Sequence, residues 1–182
     1  MPAQHKNKFL TFLFDILELT IISLTIFLVI YLFVGQLLEV TGDSMNPTFY
    51  DQEQVLAEKV SKKLKPYERG DIVIFRHPEK NERLLIKRVI AMPFDNFKIS
   101  GGKVYINGEV LEEPYLADGV KTFGGNYFNE DKEYTIPRYT YVLMGDNREK
   151  SSDSRVFGPI RSQLIIGRAA LVYYPLNNFR IL

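Results

Sequence analysis

The sequence predicts a mainly β extracytoplasmic domain carried behind a single N-terminal transmembrane helix. Three observations lead there. Leu19 to Leu38 is a run of 20 residues without a charge. The remaining chain breaks into short β-branched and aromatic runs separated by Gly, Asn and Pro turn chemistry. No later apolar run is long enough to span a bilayer.

The apolar run comes first. As a helix rising 1.5 Å per residue, 20 residues reach about 30 Å, the thickness of a bilayer's hydrocarbon core. Apolar character begins at Phe9, but Asp15 and Glu18 interrupt it, so residues 1–18 read as a cytoplasmic tail and interfacial start, 19–38 as the anchor and 39–182 as the domain. The run exceeds the 7–15-residue core of a cleavable signal, and no small-x-small site follows Gly35, so the segment is expected to stay uncleaved. Lys6 and Lys8 precede it, whereas Glu39, Asp43, Asp51 and Glu53 follow it. The positive-inside rule then leaves the N-terminus in the cytoplasm.

Composition narrows the chemistry. The 182 residues carry 23 Lys and Arg against 22 Asp and Glu, so no nucleic acid or strongly acidic partner is indicated. With no cysteine, disulfides, thiol catalysis and thiolate metal sites are excluded. His5 and His77 are the only imidazoles, and no cluster has metal spacing, so neither metal nor cofactor is expected. His77, before Pro78, reads as a solvated loop histidine. Lys59, Lys62, Lys63 and Lys65 form a basic cluster, read as a solvated loop that could also touch anionic head groups.

Strands are expected at Gln54 to Lys59, Ile72 to Phe75 and Leu84 to Ile90, the last in the centre of a sheet. Phe97 to Leu111 forms a meander turning at Gly101-Gly102 and Asn107-Gly108. Pro114 to Tyr134 is a loop-rich stretch, and the whole insertion spans about 97–138. Tyr139 to Met144 is another strand, and Leu164 to Tyr174 a strand pair broken at Gly167. With period 2, Leu85, Lys87 and Val89 share one face of the central strand, and Ile86, Arg88 and Ile90 the other.

Two features of this pattern carry chemistry. Thr41-Gly42-Asp43-Ser44-Met45-Asn46-Pro47-Thr48 puts a serine in a turn just past the anchor. A hydroxyl nucleophile needs a base; both histidines are poorly placed, which leaves lysine. An ordinary lysine pKa near 10.4 must fall by roughly 2–3 units for the amine to be neutral near pH 8, and apolar burial can do that. Lys87 sits in the longest apolar run of any lysine in the domain. That run alone leaves open whether it is held desolvated or snorkels to water.

Taken in order, the Thr41–Thr48 stretch, Leu84 to Pro93, and Gly145-Asp146-Asn147-Arg148 through Ser151-Ser152-Asp153-Ser154-Arg155 to Gly158-Pro159 resemble the motifs of bacterial type I signal peptidases. The resemblance covers the whole chain, anchor included, and is closest to the small forms of Gram-positive bacteria. It implies a mostly antiparallel β, LexA-like catalytic domain with a Ser/Lys dyad: Ser44 as nucleophile, Lys87 as general base, Ser151 as the hydroxyl that orients the lysine. The Ser44 backbone N–H would bind the oxyanion. Gly145, Asp146, Asn147, Arg148, Asp153 and Arg155 would shape the site, and Arg88, on the opposite strand face from Lys87, would be structural. Val40, Met45, Leu85 and Ile86 are near enough to the dyad in sequence to line pockets for small residues, with the substrate added as a strand to an exposed sheet edge. The implied partners are preprotein signal peptides and the lipid bilayer, with the secretion translocon nearby.

Two positions depart from the motifs. Many Gram-negative members carry, two residues before the nucleophile, a serine whose hydroxyl helps bind the oxyanion; here that position is Gly42. Ala91-Met92-Pro93-Phe94 stands where glycines usually flank the proline, so Phe94 is expected to alter the local backbone. Two other functions fit parts of the pattern: a Ser/Lys self-cleaving repressor-type regulator, which would need a DNA-binding domain this chain lacks, and a homologue that binds signal peptides without cleaving them.

Overall fold

The computed structural model describes residues 8–29, 35–60, 65–80 and 82–182. His5, Lys6, Lys62 and Lys63, on which parts of the orientation and basic-cluster arguments rest, lie outside them.

Helix α1 (Lys8–Val29) has 22 residues, none buried against protein, and is long and apolar enough to cross a membrane. It takes in the interfacial start ahead of residue 19. Asp15 and Glu18 do not end it, and Thr20 and Thr25 turn their hydroxyls back to the carbonyls of Ile16 and Ile21, both at 2.8 Å. No polar side-chain oxygen of either threonine is then left unpaired in an apolar medium.

The C-terminal end of the expected anchor is not helical. Gly35–Glu39 is strand β1, paired antiparallel with β2 (Gln54–Glu58), Leu37 opposite Leu56 and Leu38 opposite Val55. A short apolar run does not distinguish helix from strand. The alternation of Leu37, 56% exposed, with the inward Leu38 and Val40 is what marks this one as a strand.

The remaining strands are β3 (Ile72–Arg76), β4 (Leu84–Ala91), β5 (Asn96–Ser100), β6 (Lys103–Ile106), β7 (Glu109–Val110), β8 (Glu133–Thr135) and β9 (Thr140–Met144). After helix α2 (Ser154–Phe157) come β10 (Ile160–Arg161), β11 (Ile165–Tyr174) and β12 (Arg180–Ile181). They build two antiparallel sheets. The larger runs β1-β2-β11-β3-β4-β9-β10 with β12 beside β11, and the smaller runs β7-β6-β5-β8. β4 is central, as expected, between β3 and β9.

The period-2 reading of β4 holds. Leu85 and Val89 pack with Val73, Phe75, Tyr141 and Leu143, whereas Leu84 and Ile86 pack with Phe49, Val55 and Ile74. Beyond a register shift between Val89 and Ala91, Ile90 and Ala91 join Val142 and Met144 in a third cluster with Phe97, Ile99, Val104, Ile106 and Phe128. The insertion therefore shares a core with the far end of β4 and β9. Its turns use positive φ at Gly101, Gly102, Asn107 and Gly108, the geometry of two-residue hairpin loops.

The expected break at Gly167 is absent: β11 is one ten-residue strand with a register shift between Ile165 and Gly167. A Cβ at Gly167 would lie 2.1 Å from the Glu58 carbonyl oxygen. The glycine marks a close backbone approach between β11 and the end of β2, a second meaning of glycine within a strand.

Candidate active site

Lys87 leaves β4 toward the turn that follows β1. It is 2% exposed, and its Nζ lies 2.7 Å from Ser44 Oγ and 2.8 Å from the Ile86 carbonyl oxygen. Burial lowers its pKa from the ordinary 10.5 to about 8; Asp153 and Asp146 pull it back up, and Arg83 and Arg155 push it down. An amine that is partly neutral near pH 8 and touches a hydroxyl can take that hydroxyl's proton.

The Ser44 turn is anchored from below and from both ends. Met45 and Phe49 are fully buried, and the Phe49 N–H donates to the Met45 carbonyl at 2.9 Å. Gly42 sits at φ +85°, where its N–H donates to Asp51 Oδ1 at 2.6 Å. The Asn46–Pro47 peptide is cis. The Ser44 carbonyl accepts the Asn147 N–H at 3.1 Å, which ties the turn to the loop after β9.

That loop approaches closely because Gly145 has no side chain. A Cβ there would lie 2.3 Å from both Ser44 O and Ser151 Oγ. Asp146 is buried and takes a two-pronged ion pair from Arg88 (Nε to Oδ1 2.9 Å, Nη2 to Oδ2 2.6 Å), with Thr48 Oγ1 bonded to the same carboxylate. Arg88 thus lies across the strand from Lys87, and its contacts are structural: besides Asp146, it donates to the Gly70 carbonyl at 2.9 Å.

Asp153 caps α2 by accepting the Arg155 N–H at 3.1 Å and also receives Arg155 Nε and Nη2, both at 2.8 Å, and the Gly145 N–H at 3.1 Å. Burial opposes ionisation of Asp153, but these donors hold its carboxyl below the ordinary carboxylate range. Arg148 is buried, donates Nε to the Gly145 carbonyl at 3.0 Å and pairs with Glu113.

Ser151 lies in the same loop, against Gly145 and close to the Ser44 turn. Its hydroxyl is buried within reach of the Asp153 carboxylate, whose acidity it increases, and no hydrogen bond from it to Lys87 is present among the described residues. Gly145 is packed against it, so the hydroxyl is wedged between Gly145 and the Asp153 carboxylate.

A cleft of about 500 Å³ opens beside Ser44 and Lys87. Val40, Leu85 and Ile86 line it, together with Leu38, Leu84, Val55 and Ile74. Met45 does not: it is wholly inside the core, in the cluster that holds Val40, Phe49 and Val55. His77 is also at the cleft rather than in a purely solvated loop. Its Nδ1 accepts the N–H groups of Glu79 and Lys80, and its ring lies 5.2 Å from Phe157. Arg83 and Lys150 join it on that rim. Sequence reasoning missed Glu113, Tyr115 and Thr122, which reach the site from the insertion; an acidic residue in an irregular loop carries no signal of its distant partner. Among the described residues, no group of three or more His, Cys, Asp or Glu could hold a metal ion.

Residues 13–174 match the signal peptidase family, peptidase S26. The chain is 35% identical to a signal peptidase IB of Staphylococcus aureus strain COL over 181 residues, covering 91% of this chain and 93% of the relative. It is likewise 35% identical to signal peptidase I U of Bacillus subtilis strain 168 over 183 residues, covering 99% and 96%. A crystal structure of a signal peptidase I from Enterococcus faecalis V583 aligns with a TM-score of 0.49 at 26% identity, over 58% of this chain and 98% of that one. A family match over most of the chain, with relatives matched nearly end to end, establishes that this chain belongs to the signal peptidase family, peptidase S26.

Proposed function

We propose that this signal peptidase is a membrane-anchored Ser/Lys endopeptidase that cleaves preproteins after small residues through an acyl-enzyme on Ser44. One observation carries the reading: the 2.7 Å approach of a buried Lys87 amine to Ser44 Oγ. Lys87 takes the hydroxyl proton as Oγ attacks the scissile carbonyl. It then passes the proton to the leaving amine, and the ester forms as the peptide bond breaks. Lys87 next takes a proton from a water that attacks the ester, which returns Ser44 and releases the signal peptide's new carboxylate. The Ser44 N–H, which donates to no backbone carbonyl among the described residues, is the available oxyanion donor.

Substrate binding by strand addition is supported by two open edges. The Arg83 carbonyl accepts the His77 N–H and the Val89 N–H donates to Asp71, so odd residues of β4 bond toward β3. Leu84 and Ile86 turn their backbone groups to the other side, where β9 pairs only from Arg88 onward. Across the cleft, Val40 bonds to Glu53 and Gln52, which leaves the backbone groups of Leu37 and Glu39 on the outer edge of β1. An extended peptide between these edges would find hydrogen bonds on both sides and the apolar Val55–Ile74 floor below. Shallow walls at Val40, Leu85 and Ile86 favour small side chains.

The bilayer holds the site where membrane-inserted signal peptides end, near the secretion translocon. Tethering raises the effective substrate concentration. The N-terminus is assigned to the cytoplasm and the domain to the outside. Ser151 keeps its lysine-orienting role on the motif resemblance alone.

The test is to incubate detergent-solubilised protein, and its Ser44→Ala and Lys87→Ala variants, with a preprotein. Wild type should release the mature product, and each variant should lose roughly three orders of magnitude or more in kcat. A variant that cleaves at the wild-type rate would remove that residue from the mechanism.

A further inference from the structure

The loop carrying Gly145 to Arg155 makes three buried ion pairs, two of them without the insertion: Asp146 with Arg88, and Asp153 with Arg155. The third is made by Arg148. Its counter-ion comes from the insertion. Glu113 receives Arg148 Nη2 at 2.5 Å and Nη1 at 3.2 Å, a two-pronged pair, and Thr122 Oγ1 also receives Nη1. Glu113 is in turn fixed by Tyr115, whose hydroxyl donates to Oε1 at 2.6 Å and whose ring lies 4.0 Å under the Arg88 guanidinium.

The far side of Arg148 leads to the reacting groups. Nε donates to the Gly145 carbonyl at 3.0 Å, and the Arg148 carbonyl receives Arg155 Nη2 at 2.7 Å. Gly145 is the residue whose missing side chain lets Ser44 O and Ser151 Oγ approach, and the Asn147 N–H, between Gly145 and Arg148, bonds Ser44 O. A second clasp joins the same elements: the Tyr127 N–H of the insertion donates to the Arg155 carbonyl at 2.9 Å.

We propose that Glu113 is a positioning residue for signal-peptide cleavage, through which the insertion sheet fixes the Gly145–Arg148 loop against Ser44. The proposal rests on the Ser44/Lys87 reading above. A fully buried guanidinium without its carboxylate must move to find water or another acceptor. Moving Arg148 displaces the Gly145 carbonyl and the Asn147 N–H, and a displacement of about 1 Å at reacting groups costs up to about 100-fold in rate.

The experiment compares wild type with Glu113→Ala, Glu113→Gln and the double variant Glu113→Ala/Arg148→Met. Preprotein cleavage is normalised to the concentration of folded protein, with Ser44→Ala run in parallel. Glu113→Ala should lower kcat about tenfold or more, with KM changed less than about twofold. Glu113→Gln, which keeps an acceptor of the same shape, should lose less. The double variant, which removes the stranded charge as well, should recover part of the loss. The midpoint of the alkaline pH limb should stay nearly in place, because the largest charge effects on Lys87 come from Asp153, Asp146, Arg83 and Arg155, not from Glu113 or Arg148.

A Glu113→Ala variant with wild-type kcat per folded molecule would overturn the proposal. So would a double variant no better than Glu113→Ala. If Glu113→Ala does not fold, Glu113→Gln decides by the same kcat criterion. Ser44→Ala cleaving normally would instead sink the dyad reading, and the two failures stay distinct.

Discussion

Lys87 should work against the stability of the fold while it serves the reaction. Burial takes its pKa from 10.5 to about 8, and at ~1.4 kcal/mol per pH unit the folded state pays about 3 kcal/mol to hold the protonated amine. The folded pKa lies below the unfolded one, so below pH 8 both states carry the proton and the penalty is complete. Between about pH 8 and 10.5 the unfolded chain binds more protons than the folded one, stability rises with pH, and above 10.5 the penalty is gone. Replacing Lys87 by Met removes the penalty and also about 1 kcal/mol of hydrogen bonding to Ser44 and Ile86. Lys87→Met should therefore be more stable than wild type by about 2 kcal/mol at pH 7, with the advantage shrinking toward pH 10. Denaturant unfolding of the solubilised protein at pH 7 and 9.5 measures this difference. A variant less stable than wild type at pH 7 would refute the burial argument. The same pKa leaves about 9% of Lys87 neutral at pH 7, about 300 times the neutral fraction of an ordinary lysine. Activity should accordingly rise about tenfold per pH unit up to about pH 8 and then level off; a flat profile from pH 5 to 9 would remove lysine as the base.

Two substitutions probe the backbone around the site. Gly145→Ala would place a Cβ 2.3 Å from Ser44 O and Ser151 Oγ, so the loop must retreat; kcat should fall about 100-fold and stability by about 1–3 kcal/mol, read by preprotein cleavage and thermal melting. Phe94 sits at φ +72° and is 68% exposed. Phe94→Gly should stabilise by about 0.5–1 kcal/mol, left-handed strain relieved less glycine's entropy, with cleavage unchanged; a lower melting temperature would show that the exposed ring contributes more than the strain removes.

The parts of the fold legible in the sequence were those set by local chemistry. Turn glycines and Asn107-Gly108 mark the hairpins, and alternation along β4 puts Lys87 and Arg88 on opposite faces. The strand at Gly35–Glu39 was hidden because it continues the apolar character of the anchor, and only its pairing with β2 reveals it. Gly167 misled for a related reason: it reports a neighbouring backbone at Glu58, and no local pattern encodes that. At the site, Ser44 and Lys87 were accessible through the chemistry a hydroxyl nucleophile needs. Met45 is placed by proximity in sequence, which does not tell which side chains of a turn face the core. Glu113 was invisible because its partner, Arg148, lies 35 residues away on another element.

The charges around Lys87 suggest why the loop after β9 carries its acids already paired. Asp153 and Asp146 each raise the Lys87 pKa, and unopposed they would keep the amine protonated to higher pH. Each is bound two-pronged by an arginine, Arg155 or Arg88, so the carboxylates shape the loop while their fields at Lys87 are partly cancelled. Desolvation is then free to set the lysine's proton affinity. Arg155→Met should expose this balance. Asp153 would keep its charge through the Gly145 N–H and its α2 cap, Lys87 would bind its proton more tightly, and the alkaline limb of activity should move to higher pH. Arg148→Met, in a pair whose members are not among the largest charge effects on Lys87, should lower kcat while moving that limb much less. If both variants shift the limb equally, the pairing of Asp153 with Arg155 is not what lets burial govern the base.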